Sequence, residues 1–420
     1  MKRVLILGCS EITKRLLVEL CNDLAFVSDI SLVSRNKEDC DELKNLAAEH
    51  GVRVTTAGID LSNIEGAMMM IKILAPDIVV NLLPPELSLD AMNLALKAKA
   101  DYIDSALFGV PEIPSATSLL SKQFERFSDF QNNCNTAVCG AGLVPGAVTT
   151  IIRRAADESF RKIDSIDLVS VAGERNTQRR RSNIDYTLYS EDVKAPAESP
   201  KKGSEKKVFY IEDGKVVEAE ANSIEAESDS GSAVYLSSSS ILSDILKEIP
   251  DAVNVRYFKL GRKSNKLHVA PKDKIDVLEE LGLLSDKPVK VGDVEVAPLD
   301  LVATILPKMA DHENDHKEDD RVEGISTYEI YITGESKYGG EEITKSYIIQ
   351  GDNDKSYERY GVDAFEAMKG AALIAGVRLM CRDKWKKPGV FTPAAFDFKM
   401  YYNFFTKEGI NIIEGDGKPF

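Results

Sequence analysis

The stretch Arg3-Val4-Leu5-Ile6-Leu7-Gly8-Cys9-Ser10-Glu11-Ile12-Thr13 decides the fold. A short apolar run ends on a glycine, and Leu16, Leu17, Leu20 and Leu24 then recur at the three- and four-residue spacing of a helix. Strand, glycine turn and helix in that order open a dinucleotide-binding unit, although an ordinary strand-to-helix turn has the same outline. Only Gly8 of the G-x-G-x-x-G pattern is present. Ser10 is small enough for a phosphate to approach the backbone, and its hydroxyl can donate to it, whereas Thr13 should hold the helix farther from the strand.

Outward from this stretch the alternation continues. Strands are predicted at 3–7, 29–33, 52–56, 77–81, 101–103 and 136–139, with helical spacing over 11–23, 37–49, 63–74, 87–99 and 113–131. This order gives right-handed crossovers and a doubly wound, Rossmann-type parallel α/β sheet, whose ligand lies beyond the carboxyl ends of the strands. The second strand ends Val33-Ser34-Arg35, where an NAD-specific site would carry a carboxylate. Arg35 can form a charge-assisted fork with a 2′-phosphate and Ser34 can donate to it, which favours NADP, with NAD the alternative. Asp60 can accept from an adenine amino group or cap the next helix. After the fourth strand, Asn81-Leu82-Leu83-Pro84-Pro85 turns the chain sharply, because consecutive prolines cannot continue a strand interior.

The chain has 420 residues, which allows two or three domains. Asp and Glu outnumber Lys and Arg 68 to 53, a net charge of −15, which disfavours nucleic acid and membrane surfaces as partners. Six cysteines without C-x-x-C pairing read as reduced thiols of a cytoplasmic protein. No apolar run is long enough for a signal-peptide core or a membrane span.

Beyond residue 162 strand-like runs at 163–172, 208–211, 253–260, 328–334 and 346–350 predict a second, mostly antiparallel sheet, interrupted by helices near 237–248, 271–282 and 298–309. Segments 192–206 and 219–232 read as solvated loops, and 357–381 as one long helix with small residues for close packing. The division is 1–150 for dinucleotide binding and 151–356, an α+β unit, for substrate binding and dimerisation. An exposed edge of the second sheet allows a homodimer.

The ordered set Val33-Ser34-Arg35, Asn81-Leu82-Leu83-Pro84-Pro85, Tyr102-Ile103-Asp104-Ser105, Gly140-Ala141-Gly142 with Pro145-Gly146, Val255-Arg256-Tyr257 with Leu281-Gly282-Leu283-Leu284, and Gly389-Val390-Phe391-Thr392-Pro393 resembles the saccharopine dehydrogenase family. The family includes saccharopine reductases and their carboxynorspermidine and homospermidine relatives. The resemblance implies that residues 357–420 return to the first domain. It also implies NADP-dependent hydride transfer at the C–N bond of an amine-linked amino acid, a small zwitterionic substrate. Asp104 would then serve the secondary ammonium as proton shuttle, Arg256 would grip a carboxylate, and Tyr102 and Cys139 would line the pocket. The family's Thr-Pro-Glu is here Thr392-Pro393-Ala394. Alternatives are a carboxynorspermidine- or homospermidine-type enzyme and a non-catalytic nucleotide-binding relative.

Two motifs stand apart. His312-Glu313-Asn314-Asp315-His316 matches H-E-x-x-H, but its charged flanks deny it a buried face, so no metal is assigned. Arg175 with Arg179-Arg180-Arg181 reads as a surface or anion-binding loop, because interleaved aromatics are missing.

Overall fold

In a computed structural model, the residues described are 1–60, 64–105, 119–175, 207–220, 224–228, 233–237, 322–407 and 409–417, with parts of 242–301. The chain runs β1 (Lys2–Leu7), α1 (Glu11–Cys21), β2 (Val27–Ser34), α2 (Lys37–Glu49), β3 (Val54–Gly58), α3 (Ile64–Leu74), β4 (Ile78–Asn81), α4 (Ser88–Ala98) and β5 (Asp101–Asp104). It continues through α5 (Leu119–Phe124), α6 (Phe127–Asn132), β6 (Thr136–Val138) and α7 (Val148–Ser159). The expected helix over 113–131 is thus two short helices on its described side.

The second part holds β7 (Phe160–Val171), β8 (Glu174–Arg175), β9 (Lys207–Glu212), β10 (Lys215–Glu220), β11 (Glu225–Glu227), β12 (Ala233–Ser237) and β13 (Asn254–Leu260). After the β14 (Val289–Val291) and β15 (Val294–Val296) hairpin come β16 (Val322–Glu323), β17 (Ile325–Ser336) and β18 (Glu342–Asp352). The C-terminal part is α8 (Asn353–Tyr360), α9 (Ala364–Cys381), β19 (Gly389–Phe391), α10 (Phe398–Lys407) and β20 (Asn411–Asp416).

Seven parallel strands form the first sheet in the order β19-β6-β5-β4-β1-β2-β3. Val4 to Leu7 are all buried, as a parallel strand covered by helices on both faces requires. The seventh strand, β19, comes from the far end of the chain. The second sheet runs β10-β9-β13-β7-β17-β18-β20, with β11 and β12 beside β13. Its pairs are antiparallel except β13 with β7, so it is mixed but mostly antiparallel. The solvated loop expected over 219–232 therefore contains β11 and the end of β10. Segment 192–206, the H-E-x-x-H motif and Arg179 to Arg181 lie outside the described residues, as does nearly all of the helix expected at 271–282.

Segment 357–381 is two helices, not one. Gly361 ends α8 in the left-handed region at φ 73°, and the Asp363 side chain accepts from the Glu366 N–H to start α9. Spacing alone misses the break because apolar residues flank it on both sides. Helix α9 is apolar nearly all round and buried, as a helix between layers must be. It touches β4 and β5 of one sheet and β17 and β18 of the other. A Cβ on Gly376 would come within 2.8 Å of the Trp385 ring and 2.9 Å of Ile103, so glycine permits this approach.

Polar contacts fix how α9 sits on α1. Arg378 pairs with Glu19 at 2.8 Å and Asp23 at 2.7 Å, while Arg382 reaches Asp23 at 2.6 Å. Burial acts to raise the Asp23 pKa, but the Arg382 and Arg378 guanidiniums hold it below the ordinary value of 3.8. A carboxylate depressed in the folded state stabilises it above the unfolded value and loses that effect as pH falls through the folded one. Asp23→Asn should cost about 3 kcal/mol at neutral pH in urea unfolding, since two guanidiniums lose their partner. That deficit should shrink as the pH falls below 3.8; a deficit independent of pH would contradict the assignment.

Candidate functional site

Since all strands of the first sheet are parallel, the turns after β1, β2, β4, β5 and β6 lie along one edge. The Gly8 N–H donates to Val33 O and the Leu82 N–H to Leu7 O, both at 2.8 Å, which ties three of these turns together. Gly8 has φ 98°, and a Cβ there would lie 2.8 Å from Leu82 O, so the position requires glycine twice over. Ser10 caps α1. Its hydroxyl accepts from the Thr13 N–H, and its own N–H donates to the Thr13 hydroxyl at 3.1 Å. Thr13 does not hold the helix away as expected. It is fully buried, and its hydroxyl donates to Gly8 O at 2.9 Å, drawing the helix onto the turn in place of the missing glycine.

At the end of β2, Ser34 is half-buried and Arg35 exposed. The Arg35 guanidinium has no hydrogen bond or ion pair with the described residues. Beside it Lys37 opens α2, 3.6 Å from Asp41, and Gly58 lets β3 end against the Lys37 side chain. Asp60 follows β3 and is exposed. After β4, Leu82 is half-buried and Pro84 exposed. A glycine turn entering a helix N-terminus, with an unengaged guanidinium at the next strand end, fits the pyrophosphate and 2′-phosphate of NADP.

The turns after β5 and β6 are joined by a buried network. Asp104 is 0% exposed, and its carboxylate accepts from Tyr102 Oη at 2.7 Å, Gln123 Nε2 at 2.6 Å and the Gly140 N–H at 2.8 Å. Asn81 donates to Tyr102 Oη at 3.0 Å and accepts from the Leu83 N–H at 3.1 Å. Burial, then the Asp104 charge, push the Tyr102 phenol well above its usual range, so it stays a donor. Cys139 is fully buried, and its N–H donates to Phe391 O at 2.8 Å, joining β6 to β19. Against the expectation that Asp104 faces a substrate ammonium, with Tyr102 and Cys139 lining the pocket, all three are 0% exposed. Asn81 likewise shapes its turn from within, being 1% exposed.

Arg256 is on β13, in register with Asp167 of β7. Its guanidinium makes a two-pronged contact with that carboxylate at 2.6 and 2.7 Å. The fork expected to grip a substrate carboxylate is therefore already paired with an internal one, and Arg256 lies on the second sheet.

Two contributors escaped sequence reading. Gln123 is a buried polar residue on α5, visible only as an interruption of an apolar face. Cys40, in α2, has its sulfur 2.7 Å from that of Cys9, in the turn after β1; 31 residues separate them, and no spacing rule links them. Among the described residues no group of His, Cys, Asp and Glu is arranged to hold a metal ion, and no helix is long and apolar enough to cross a membrane.

The saccharopine dehydrogenase NADP-binding domain matches residues 4–138. A carboxyaminopropylagmatine dehydrogenase of Synechocystis is 23% identical over 404 residues, covering 94% of this chain and 93% of its own. A carboxynorspermidine synthase of Vibrio alginolyticus is 22% identical over 88% of this chain and 86% of its own. Among solved structures, the apo saccharopine dehydrogenase (L-Glu forming) of Saccharomyces cerevisiae superimposes along both whole chains with a TM-score of 0.68 at 15% identity, which establishes a shared two-sheet architecture. By its strand order, its glycine turn and this match, the segment 4–138 belongs to the saccharopine dehydrogenase NADP-binding domain family.

Proposed function

We propose that the protein is an NADP-dependent oxidoreductase acting on the C–N bond of a secondary amine that joins two amino-acid-like fragments. The observation that carries this is the NADP-binding family match over residues 4–138, whose β2 end presents the unengaged Arg35 guanidinium. Bound NADPH would supply a hydride for an electron-poor carbon such as an imine. The chain's own part is positioning. The Gly8–Ser10 turn and the first turn of α1 receive the pyrophosphate, Arg35 and Ser34 the 2′-phosphate, and Asp60 the adenine side. Leu82 and Pro84 form a wall beyond β4 that keeps water from the reacting carbon. Asp104 acts as a positioning residue, fixing the Gly140 turn through its N–H. Arg256 with Asp167 braces β13 against β7.

Within this reading a carboxylated polyamine is the favoured substrate. The relatives that align along most of the chain carry names of that chemistry. A net charge of −15 also suits a polycation, which it would draw towards the surface at low ionic strength. NADPH consumption with aldehyde donors paired against diamines, agmatine-like amines and α-amino acids separates the two classes. Turnover with amines supports the polyamine class, and turnover only with lysine-like amino acids supports a saccharopine-like substrate. Failure to bind NADPH or NADH at millimolar concentration would contradict the oxidoreductase reading altogether.

Arg35→Ala should weaken NADPH binding by roughly 10- to 100-fold, the worth of a charge-assisted contact, and leave NADH within about twofold. Equal losses for both nucleotides, by calorimetric titration, would contradict the assignment. Asp104→Ala leaves the Gly140 N–H, Gln123 and Tyr102 without their acceptor and should lower unfolding free energy by about 3 kcal/mol. A variant that melts like the parent and loses only turnover would restore Asp104 to a place at the substrate.

A further inference from the structure

Cys9 and Cys40 are brought together by the first crossover of the fold. Cys9 follows Gly8 in the turn after β1 and is half-buried; Cys40 is in the first turns of α2 and fully buried. Their sulfurs are 2.7 Å apart, inside van der Waals contact and well short of any arrangement that an intervening atom could occupy. Both are free thiols. Cys40 lies in α2, which starts directly after the segment Ser34 to Asn36. The pair therefore joins the turn assigned to the pyrophosphate, Gly8 to Ser10, to the segment assigned to the 2′-phosphate, Ser34 to Lys37.

We propose that Cys9 and Cys40 are a reversible modification site, forming a disulfide under peroxide and thereby weakening nucleotide binding. The regulatory half rests on the NADP reading given above; the modification itself does not. Cys9 is the less buried of the two residues. Ionisation of the pair leaves one proton between the two sulfurs; with that proton on Cys40, the Cys9 sulfur displaces hydroxide from hydrogen peroxide, breaking the O–O bond and becoming a sulfenic acid. The Cys40 sulfur then attacks the Cys9 sulfur; the S–S bond forms, the S–O bond breaks, and the departing oxygen takes the Cys40 proton as water. The proton first lost from Cys9 neutralises the hydroxide. Two thiols lose two electrons and one peroxide becomes two waters. A second thiol so close favours this closure over further oxidation of the sulfenic acid. A disulfide fixes the sulfurs at about 2.05 Å with a defined dihedral angle. The turn holding Gly8 and Ser10 must then move with α2, and the start of α1 that Ser10 caps shifts with it.

The full chain is treated with stoichiometric hydrogen peroxide, alkylated, digested without reductant and mapped by mass spectrometry. The expected product is one peptide pair joined through Cys9 and Cys40, lighter by two hydrogens and separated by dithiothreitol. Cys40→Ser and Cys40→Ala should each lose the cross-link, and the sulfenic acid trapped by dimedone should then be on Cys9. NADPH affinity by fluorescence titration should fall by about tenfold on oxidation, recover on reduction, and respond to peroxide in neither variant. Cys9 and Cys40 remaining separately alkylable after peroxide would overturn the proposal, as would a cross-link with unchanged NADPH affinity. A reduced protein that binds no NADPH would overturn the cofactor reading and the regulatory half with it, while the peptide map would still decide the modification site.

Discussion

A sheet whose seven strands all run the same way leaves every strand-to-helix turn at one edge, and the site depends on that constraint. Backbone bonds between neighbouring strand ends, Gly8 to Val33 and Leu82 to Leu7, set the turns at fixed spacing. The first of them is possible only because residue 8 has no Cβ to meet Leu82. A dinucleotide laid across these ends would meet, in order, the N-terminus of α1, the Arg35 guanidinium and the Asp60 loop. The overall charge of −15 does not oppose this, because the groups proposed to bind anions are a helix terminus and one arginine unopposed among the described residues, rather than a basic surface.

The far side of the same edge is held by buried polarity. Asp104 is inside the protein with three donors on its carboxylate, and one of them is the backbone of the turn after β6. Such a cluster is costly to break, since each lost partner leaves a buried group unpaired. Helix α9 sets the other large relation in the molecule, lying between the sheets and held to α1 by Arg378 and Arg382. A segment more than three hundred residues from the glycine turn thus supports the helix that the turn begins. Arg15 adds to this by donating to Ala367 O at 2.7 Å.

Much of the fold was legible in the sequence because parallel strands buried on both faces are continuous apolar runs and their helices have a clear apolar stripe. The strand β19 was not, since three residues carry no period, and its partner β6 is some 250 residues away. The split between α8 and α9 depends on Gly361 and Asp363, residues that an apolar count passes over. The placement of Gly8, Ser34 and Arg35 at neighbouring strand ends was legible, since it follows from position after a strand. The candidate site was illegible where residue type suggested chemistry but burial decides the role. An aspartate at a strand end reads the same whether it faces a cleft or, like Asp104, is enclosed by Gln123 and Gly140. Arg256 reads as a carboxylate clamp, and its carboxylate proves to be Asp167 on the neighbouring strand, a pairing that only sheet register could reveal. The Cys9–Cys40 contact is of the same kind, a product of the crossover from β1 through α2.

The central claim is that the edge formed by the ends of β1 and β2 is where NADPH binds. Amide hydrogen exchange with and without saturating NADPH tests this most directly, because it reports the location of binding independently of turnover. The account predicts slowed exchange concentrated in Gly8–Thr13 and Ser34–Lys37, with the strands β17 and β18 of the second sheet unchanged. NADPH binding that protects other segments and leaves those two untouched would contradict it.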